Sequence, residues 1–208
     1  MPISEVYNED CMIGMARYPD KYFDLAIVDP PYGIGKDGQT KTTGGHGGRK
    51  GYDFKGWDNC IPTKEYFDEL RRVSKNQVIW GANYYPQFLF TSMGWIVWDK
   101  GQELKQSDGE LAYTSFNCKL RIFRMNRVEL LLESTIHPTQ KPIKLYTKIL
   151  RYYAQDGFKI LDTHLGSGSS RIACFDGGFD FVGFEIDKDY YEAQEKRFQN
   201  HILQQKLF

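Results

Sequence analysis

Short runs of apolar residues, many of them branched or aromatic, recur along the chain and end at Gly, Pro or Asp, which is typical of strands buried in a sheet. They lie at residues 23–28, 76–82, 94–99, 111–116, 158–162 and 181–186. Stretches with a helical spacing of apolar positions lie at residues 63–74, 143–155, 169–177 and 188–205. Because strands and helices alternate in part, the pattern predicts an α/β fold with a mainly parallel, twisted sheet and helices on both faces.

One long stretch breaks this pattern. Residues 33–59 are rich in glycine and show neither a strand nor a helix period. A loop of that length within a compact domain is usually functional or disordered. The sequence leaves open whether it contacts a substrate or is a solvated insertion.

Length and charge set broad limits. The chain has 208 residues, enough for a sizeable core, and we expect residues 1–208 to form a single domain. Lys and Arg number 27, as do Asp and Glu, so the net charge does not indicate a nucleic-acid partner. The distribution of charge along the chain gives some indication of such a partner, because basic residues cluster at residues 44–56 and 118–127. Aromatic residues make up 15% of the chain, and rings near basic residues suit base stacking, although burial is the commoner explanation.

The cysteines and the apolar runs indicate a compartment. Cys11, Cys60, Cys118 and Cys174 are far apart and lack the close pairs of a zinc site, so we expect reduced thiols and no bound metal. No apolar run is long enough to span a bilayer, and residues 1–10 lack the basic and apolar regions of a signal peptide. These features predict a cytoplasmic protein without a membrane partner.

The first candidate site follows the apolar run at residues 23–28, which stops at Asp29-Pro30-Pro31-Tyr32. Neither proline can donate to a strand ladder, and the fixed φ of each stiffens the turn. The turn therefore holds a carboxylate, the neighbouring carbonyls and an aromatic ring in fixed relation at the carboxyl edge of the sheet, where open α/β sheets bind ligands. Taken alone, these residues would also suit a plain strand terminator with a capping aspartate.

The second candidate site is a strand, a glycine turn and a helix at residues 158–175. Two glycines let the backbone approach a ligand closely, and the helix start offers free N–H groups to a polar or anionic group. Glu185 ends the next strand, where an acid can bind ribose hydroxyls. The pattern indicates a nucleoside-containing cofactor, with these contacting residues: Asp162, Leu165, Gly166, Ser167, Gly168, Ser169, Glu185 and Ile186.

Two other nucleotide-binding motifs fit poorly. Arg171 stands where a G-x-G-x-x-G fingerprint has its third glycine, and we expect its bulk to hinder close packing of helix on strand. The sequence also lacks the Gly-Lys-Ser/Thr of a phosphate-binding loop. An ordinary turn between strand and helix remains the alternative.

Three motifs in one order carry a resemblance to a known family. D-P-P-Y at residues 29–32 precedes H-P-T-Q-K-P at residues 137–142, which precedes L-G-S-G-S-S at residues 165–170. This order resembles the β-class DNA amino-methyltransferases, and the similarity extends over residues 23–198. The resemblance implies a Rossmann-like methyltransferase fold with a circularly permuted motif order. It also implies S-adenosylmethionine as cofactor, S-adenosylhomocysteine as product and double-stranded DNA as partner.

The resemblance implies roles for single residues. Asp29, Pro30, Pro31 and Tyr32 would form the catalytic turn, in which the carboxylate and a proline carbonyl accept the hydrogens of the target amine. Tyr32 would stack on the flipped base, and Asp29 would also touch the cofactor. The cofactor pocket would be completed by His137, Pro138, Thr139, Gln140 and Lys141. The alternative for that segment is a helix start with a solvated lysine.

Residues 163 and 164 depart from the family pattern, and residue 29 indicates which base is methylated. Thr163-His164 replaces the Pro-Phe that the family often has, and the flat ring of His164 is a candidate substitute. In that family Asp rather than Ser at position 29 favours adenine, so we expect methylation of the N6 amine of adenine in a specific DNA sequence.

Several alternatives remain at this point. Within the class, N4-cytosine methylation is the nearest, and RNA or a protein amide is a further acceptor. From other classes, a catalytically silent DNA-binding module is disfavoured by the intact D-P-P-Y, and a nucleotide-dependent oxidoreductase is disfavoured by Arg171. The oligomeric state stays open, with a homodimer among the alternatives.

Residues 117–136 are the compact segment in which the resemblance places target recognition. An extended strand there would put Lys119 and Arg121 on one face and Leu120 and Ile122 on the other. A solvated edge strand protected by charge is the alternative. We expect DNA contacts from Lys119, Arg121 and Arg124 in this segment, and from His46, Arg49 and Lys50 in the glycine-rich loop.

Overall fold

The computed structural model describes residues 1–41, 50–101, 107–125, 133 and 135–205. The strands are β1 (Ser4–Tyr7), β2 (Phe23–Val28), β3 (Ser74–Trp80), β4 (Trp95–Asp99), β5 (Gly109–Thr114), β6 (Arg121–Arg124), β7 (Lys159–Asp162) and β8 (Asp180–Phe184). The helices are α1 (Cys11–Met15), α2 (Lys64–Val73), α3 (Ile143–Tyr153), α4 (Ser169–Asp176) and α5 (Lys188–Gln205). Two 3-10 turns, Ala82–Tyr84 and Pro86–Phe88, follow β3.

The strands form one sheet in the order β1-β8-β7-β2-β3-β5-β4-β6. Strand β5 is antiparallel to both of its neighbours, β3 and β4. The remaining pairs of neighbours within the described sheet are parallel. This is the Rossmann-like α/β fold that the sequence pattern and the resemblance predicted.

The boundary between β2 and β7 positions the two candidate sites. The strands are parallel, with Leu25 beside Ile160 and Ala26 beside Leu161. From β7 the sheet continues to β8 and β1, whereas from β2 it continues in the other direction to β3. At such a switch point the carboxyl ends of the strands open into a crevice, which is where open α/β sheets bind ligands. The turns after β2 and β7 therefore share one crevice.

Strand β2 is buried on both faces, which explains its continuous apolar sequence. Leu25 and Ile27 pack in the layer that contains α3 and α4. Ala26 and Val28 pack in the layer that contains α1 and α2. The alternation follows from the two-residue period of a strand.

The predicted strands and helices are all present, with ends that differ by a few residues. Strand β1 and helix α1 were not predicted, because each is too short to show a period. Strand β1 nevertheless pairs with β8 along its full length and extends the parallel half of the sheet.

Strand β6 corrects the faces expected for the basic segment. Lys119 precedes the strand, Phe123 is buried, and Ile122 is 58% exposed. Arg121 lies on the face of Phe123, and its guanidinium carbon is 4.0 Å from the ring centroid of Tyr152 in α3. The face that carries Ile122 and Arg124 is therefore turned to solvent, because Phe123 anchors the face of Arg121 in the core.

Arg171 also differs from the expectation. Its buried side chain donates from Nε to Ser4 Oγ at 3.0 Å and from Nη1 to Gln194 at 3.0 Å and Glu195 at 2.6 Å. Its guanidinium carbon lies 3.7 Å from the ring centroid of Phe198. The packing conflict does not arise, because the side chain is directed toward β1 and α5 and joins them to α4.

Two features are absent from the part of the chain that the structure describes. No helix there combines the length and the apolarity needed to cross a bilayer. No group of His, Cys, Asp and Glu side chains there is arranged to hold a metal ion.

Candidate active site

The turn after β2 brings Asp29 and Tyr32 into direct contact. The Tyr32 hydroxyl donates to Asp29 Oδ1 at 2.6 Å. Nζ of Lys141 lies 2.5 Å from Asp29 Oδ2 and 3.2 Å from the Tyr32 hydroxyl oxygen. Both carboxylate oxygens of Asp29 thus have a donor, and each retains a lone pair for one more hydrogen.

Lys141 is buried between two carboxylates. Its side chain is 3% exposed, and Nζ also lies 3.0 Å from Oε2 of Glu110 in β5. Oε1 of Glu110 pairs with Nζ of Lys100 at 2.7 Å. Burial opposes a charge on Lys141, but the carboxylates of Asp29 and Glu110 outweigh it and raise the pKa of the lysine. Positive and negative side chains therefore alternate along a row of four residues, in the order Lys100, Glu110, Lys141 and Asp29.

The ring of Tyr32 is held by the turn after β3. Tyr84 stacks on it with ring centroids 4.9 Å apart and planes 16° apart, and Tyr84 is 39% exposed. Gly81 has a φ of +68°, and a Cβ at that position would overlap the ring of Tyr32. Glycine adopts this left-handed conformation freely and leaves room for the ring. The tyrosine is therefore positioned through its ring as well as its hydroxyl.

Asp58, from the glycine-rich stretch, fixes the backbone of the turn after β2. Its side chain is 2% exposed. Oδ1 accepts from the N–H groups of Tyr32 and Gly33 at 2.7 Å and 2.8 Å, and Oδ2 accepts from that of Lys36 at 2.7 Å. Three backbone donors thus converge on one buried carboxylate, which orients the residues that follow the prolines.

A second buried acid, Asp37, holds the returning part of the glycine-rich stretch. It accepts from the N–H groups of Lys55, at 3.1 Å, and of Gly56. The side chain of Lys55 pairs with Asp187 at 2.8 Å and with Asp189 at 2.5 Å. The described ends of residues 33–59 are therefore folded by internal carboxylates and tied to the start of α5.

The turn after β7 is organised around Asp162, whose side chain is 2% exposed. Oδ1 accepts from the N–H of His164 at 3.1 Å, and Oδ2 accepts from the hydroxyl of Ser170 at 2.5 Å. Burial raises the pKa of Asp162 to about 7, since these neutral donors offset the loss of water only in part.

Other residues of this turn give it its shape. Arg197 donates to the carbonyl of Ser167 at 2.8 Å and to the hydroxyl of Ser169 at 2.9 Å. The two serines therefore face α5. Gly166 and Gly168 have φ values of +51° and +71°, which only glycine adopts without strain. Leu165 is buried beneath the turn.

Glu185 is joined directly to the glycine turn. Oε2 accepts from the N–H of Gly166 at 2.7 Å, and Oε1 accepts from that of Asp187 at 2.9 Å. Each oxygen retains a lone pair that could accept from a hydroxyl group. Ile186, the next residue, is 65% exposed. A carboxylate can accept from the hydroxyls of a ribose, and an exposed apolar side chain beside it can contact the attached base.

His137 lies over the glycine turn. A Cβ at Gly166 would be 3.6 Å from its ring. The ring stacks on Trp57 with centroids 5.2 Å apart and meets the edge of Tyr190 at 4.4 Å. Burial lowers the pKa of His137 to about 3, so the imidazole is neutral at physiological pH.

The H-P-T-Q-K-P segment joins the two turns. Its first residue contacts the glycine turn, whereas Lys141 contacts Asp29. Between them, Pro138 is partly exposed and Thr139 is exposed. Gln140 is buried, and its Oε1 accepts from the N–H of Ile136 at 3.0 Å. One segment therefore couples the cofactor-type turn to the catalytic turn.

The basic residues predicted to contact DNA differ in exposure and in partners within the described structure. Lys50 and Lys119 are exposed. Arg124 has an 82% exposed side chain, which pairs with the aspartate that ends β4. His46 and Arg49 lie outside the described residues.

Sequence reasoning missed Glu110, Asp58 and Tyr84. Glu110 belongs to no motif, and its contact with Lys141 depends on the reversed strand β5. Asp58 is one acid within a long irregular stretch, so nothing marks it as buried. Tyr84 could have been found, because an aromatic pair directly follows a predicted strand at the carboxyl edge.

Comparison with known proteins identifies relatives. Residues 97–196 match the N6_N4_Mtase family, described as DNA methylase. The Type II methyltransferase M.HinfI of Haemophilus influenzae is 22% identical over 250 residues, which cover 94% of this chain and 68% of that protein.

Two solved structures share the fold. The crystal structure of the M1.HpyAVI–SAM complex has a TM-score of 0.63 and 19% identity, and the match covers 93% of this chain and 98% of that one. The PvuII DNA methyltransferase (cytosine-N4-specific) has a TM-score of 0.64 and 13% identity, with 95% and 87% of the two chains covered. Over residues 97–196 the chain is thus similar to the DNA methylase family, and its fold is that of the two solved DNA methyltransferases.

Proposed function

We propose that this protein transfers a methyl group from S-adenosylmethionine to the N6 amine of a flipped adenine in double-stranded DNA and releases S-adenosylhomocysteine. The observation that carries the proposal is the arrangement at the β2–β7 boundary. There an oriented, lysine-paired Asp29 lies one strand away from the glycine turn that begins at Asp162. We further propose that residues 1–208 act as one catalytic domain.

The residues around the glycine turn fit this cofactor. Glu185 has lone pairs free for the ribose hydroxyls, and Ile186 offers an exposed apolar side chain for the adenine. Asp162 is a buried carboxylate held by neutral donors, which suits a cationic group. His137 and Thr139 add polar atoms beside the turn, 3.1 Å from each other. When bound, the cofactor supplies an electrophilic methyl group on its sulfonium sulfur.

The catalytic turn would prepare the target amine. Asp29 and the carbonyl of Pro30 each accept one N–H, which frees the nitrogen lone pair from the base ring. As the nitrogen gains the methyl group it becomes positively charged and loses one proton, which Asp29 accepts and passes to solvent. Lys141 favours the ionised carboxylate needed for both steps. The ring of Tyr32, already fixed by its contacts, stacks on the base.

Adenine is preferred over cytosine because the motif begins with Asp rather than Ser. N4-cytosine methylation remains the second candidate, since a cytosine-N4-specific enzyme shares this fold. The two differ in product. Purified protein is incubated with duplex DNA and S-adenosylmethionine, the DNA is digested to nucleosides, and mass spectrometry identifies the methylated species. N6-methyladenine is expected, and N4-methylcytosine in its place would show the adenine assignment to be wrong.

The mechanism is tested by Asp29→Ala in the same assay. Loss of one acceptor should lower the transfer rate by about 10²–10³, by analogy with the loss of an oxyanion-hole donor. Binding of the cofactor and DNA should persist. Near wild-type transfer by this variant would refute the role of Asp29.

DNA contacts remain part of the proposal. We assign phosphate contacts to Lys50, Lys119, Arg121 and Arg124, with His46 and Arg49 as further candidates. Arg121 is the least available of the described four, because it already covers the ring of Tyr152.

A further inference from the structure

We propose that Glu110 is a positioning residue for methyl transfer, which holds Lys141 against Asp29 and so keeps the catalytic carboxylate oriented. This inference rests on the proposed function, in which Asp29 accepts a hydrogen of the target amine. It also gives Lys141 a different partner from the one the resemblance implied, namely the catalytic acid rather than the cofactor.

The contacts of Lys141 support this role. Its Nζ lies within 3.2 Å of three oxygens, one each from Asp29, Glu110 and Tyr32. Nζ donates to Asp29 and Tyr32, whereas the contact with Glu110 is an ion pair at 3.0 Å. With a side chain only 3% exposed, Lys141 has little water to replace a lost partner. Without Glu110 the buried ammonium would be paired with one carboxylate instead of two, and its position against Asp29 would be less fixed.

The charges support it as well. Glu110 shares Lys141 with Asp29, and its other oxygen is neutralised by Lys100. Burial raises the pKa of Asp29, Lys141 lowers it, and the nearby negative charge of Glu110 raises it. Glu110 therefore keeps Lys141 in place and prevents it from making Asp29 too weak a proton acceptor.

Other ionisable groups face this pair, and a pH experiment must be interpreted with them in mind. They are Tyr32 in the catalytic turn, Tyr66 in α2, Tyr85 after β3, Lys100 after β4, His137 before α3, Tyr146 in α3 and Asp162 at the end of β7. Burial raises the pKa of each of these tyrosines and lowers that of His137, so all of them are neutral near pH 7.

The test compares Glu110→Gln and Glu110→Asp with a control, Asp99→Asn. Asp99 lies on the adjacent strand β4 and pairs with the exposed Arg124, so it is a neighbouring acid that does not touch Lys141. We expect Glu110→Gln to lower kcat about tenfold, since a buried, charge-assisted contact is lost. The dissociation constant of S-adenosylmethionine should stay within about threefold, and Asp99→Asn should resemble the wild type.

The pH profile separates positioning from a merely structural role. Loss of the Glu110 charge lowers the pKa of Asp29, so the acid limb of kcat should move to lower pH even as the plateau falls. Glu110→Asp should show a smaller change in the same direction, and it serves as the second variant if Glu110→Gln does not fold. An unchanged acid limb, a shift to higher pH, or an equal loss in Asp99→Asn would overturn the proposal.

A readout without activity distinguishes this inference from the proposed function. NMR titration of the Lys141 side chain should show a lower pKa in Glu110→Gln than in the wild type, because one of two carboxylates that stabilise the charge is removed. An unchanged pKa of Lys141 would contradict the inference. If the wild-type protein transfers no methyl group, the proposed function fails while this titration still tests the contact.

Discussion

Asp29 and Asp162 occupy equivalent places in the sheet but have different surroundings. Each lies at the carboxyl end of a strand, and those strands, β2 and β7, are parallel neighbours. Asp29 has an ammonium group against it, that of Lys141. The hydrogen bonds described for Asp162 come from neutral donors, the backbone of His164 and the hydroxyl of Ser170. Burial raises the pKa of Asp162 to about 7.

The difference suggests that the two acids act at different stages. A buried carboxylate is costly to ionise without a cation nearby. In the proposed function Asp29 must be ionised before the target amine arrives, and the protein supplies the cation. Asp162 can remain partly protonated at neutral pH until a ligand supplies a cation, and the proposed cofactor carries both an ammonium and a sulfonium charge. The lysine beside Asp29 thus suits a catalytic acid, whereas the lack of a cation among the described hydrogen-bond partners of Asp162 suits an acid that binds a cationic ligand.

The largest expected effect comes from replacing each acid by its amide. Asp29→Asn should lower kcat by about 10²–10³, because the acceptor for the amine proton is lost, and leave cofactor affinity within a few-fold. Asp162→Asn should weaken cofactor binding about tenfold or more, in line with the loss of one charge-assisted contact. Single-turnover rates at saturating cofactor and calorimetric affinities measure the two effects. If both variants lose mainly rate, or both mainly affinity, the distinction between the acids is wrong.

The second prediction concerns the pH dependence of stability without cofactor. The pKa of Asp162 is raised to about 7 in the folded protein, against an ordinary value of 3.8 in the unfolded chain. Between these values the folded state binds more protons, so its free energy of unfolding should fall as pH rises from about 4 to about 7. The contribution is on the order of 4 kcal/mol, at 1.36 kcal/mol per pKa unit.

Asp162→Asn is the matched variant for this prediction. It should be less sensitive to pH in that window, and the difference in unfolding free energy between the two proteins should grow toward neutral pH. Denaturant unfolding at several pH values measures it. Added S-adenosylmethionine should remove most of the difference in slope, since a bound cation favours the ionised carboxylate. If the unfolding free energies of both proteins changed with pH in the same way, the raised pKa of Asp162 would not be the cause of the pH dependence.

Much of the fold and part of the site could be predicted from sequence, for a physical reason. Strand β2 is apolar from Leu25 to Val28 because both faces are covered there, and its end is marked by two prolines. The glycine turn is likewise local, since positive φ values at Gly166 and Gly168 require glycine. Features that depend on a few adjacent residues leave a pattern that can be recognised.

The remaining contacts could not be predicted, because they join distant parts of the chain. Lys141 reaches Asp29 from 112 positions away, and Asp58 reaches Tyr32 from 26 positions away. Neither residue has a local pattern that reveals its partner. The reversed strand that carries Glu110 was predicted as a strand, but its direction and its pairing depend on the whole sheet.

The smallest expected effect comes from the residue that positions the catalytic turn. Asp58 accepts three backbone N–H groups, two of them from Tyr32 and Gly33. Asp58→Asn replaces one acceptor oxygen with an amide NH₂ group, which can only donate. At least one of these contacts is therefore lost, and the turn is held less firmly. The expected result is a fall in kcat of about tenfold, because misplacement by a fraction of an ångström weakens the contacts of Asp29 with the amine.

Asp37→Asn is the control, since Asp37 is an equally buried acid in the same stretch that accepts the N–H groups of Lys55 and Gly56 instead. Both variants should lose about 1–3 kcal/mol of stability, as expected when buried donors lose a charged acceptor. Only Asp58→Asn should lower kcat at saturating cofactor and DNA, because only Asp58 contacts the turn that carries Asp29. Equal losses of kcat in the two variants would mean that the glycine-rich stretch supports the site as a whole. The orientation of Asp29 would then depend on Lys141 and Tyr32 rather than on the backbone that Asp58 holds.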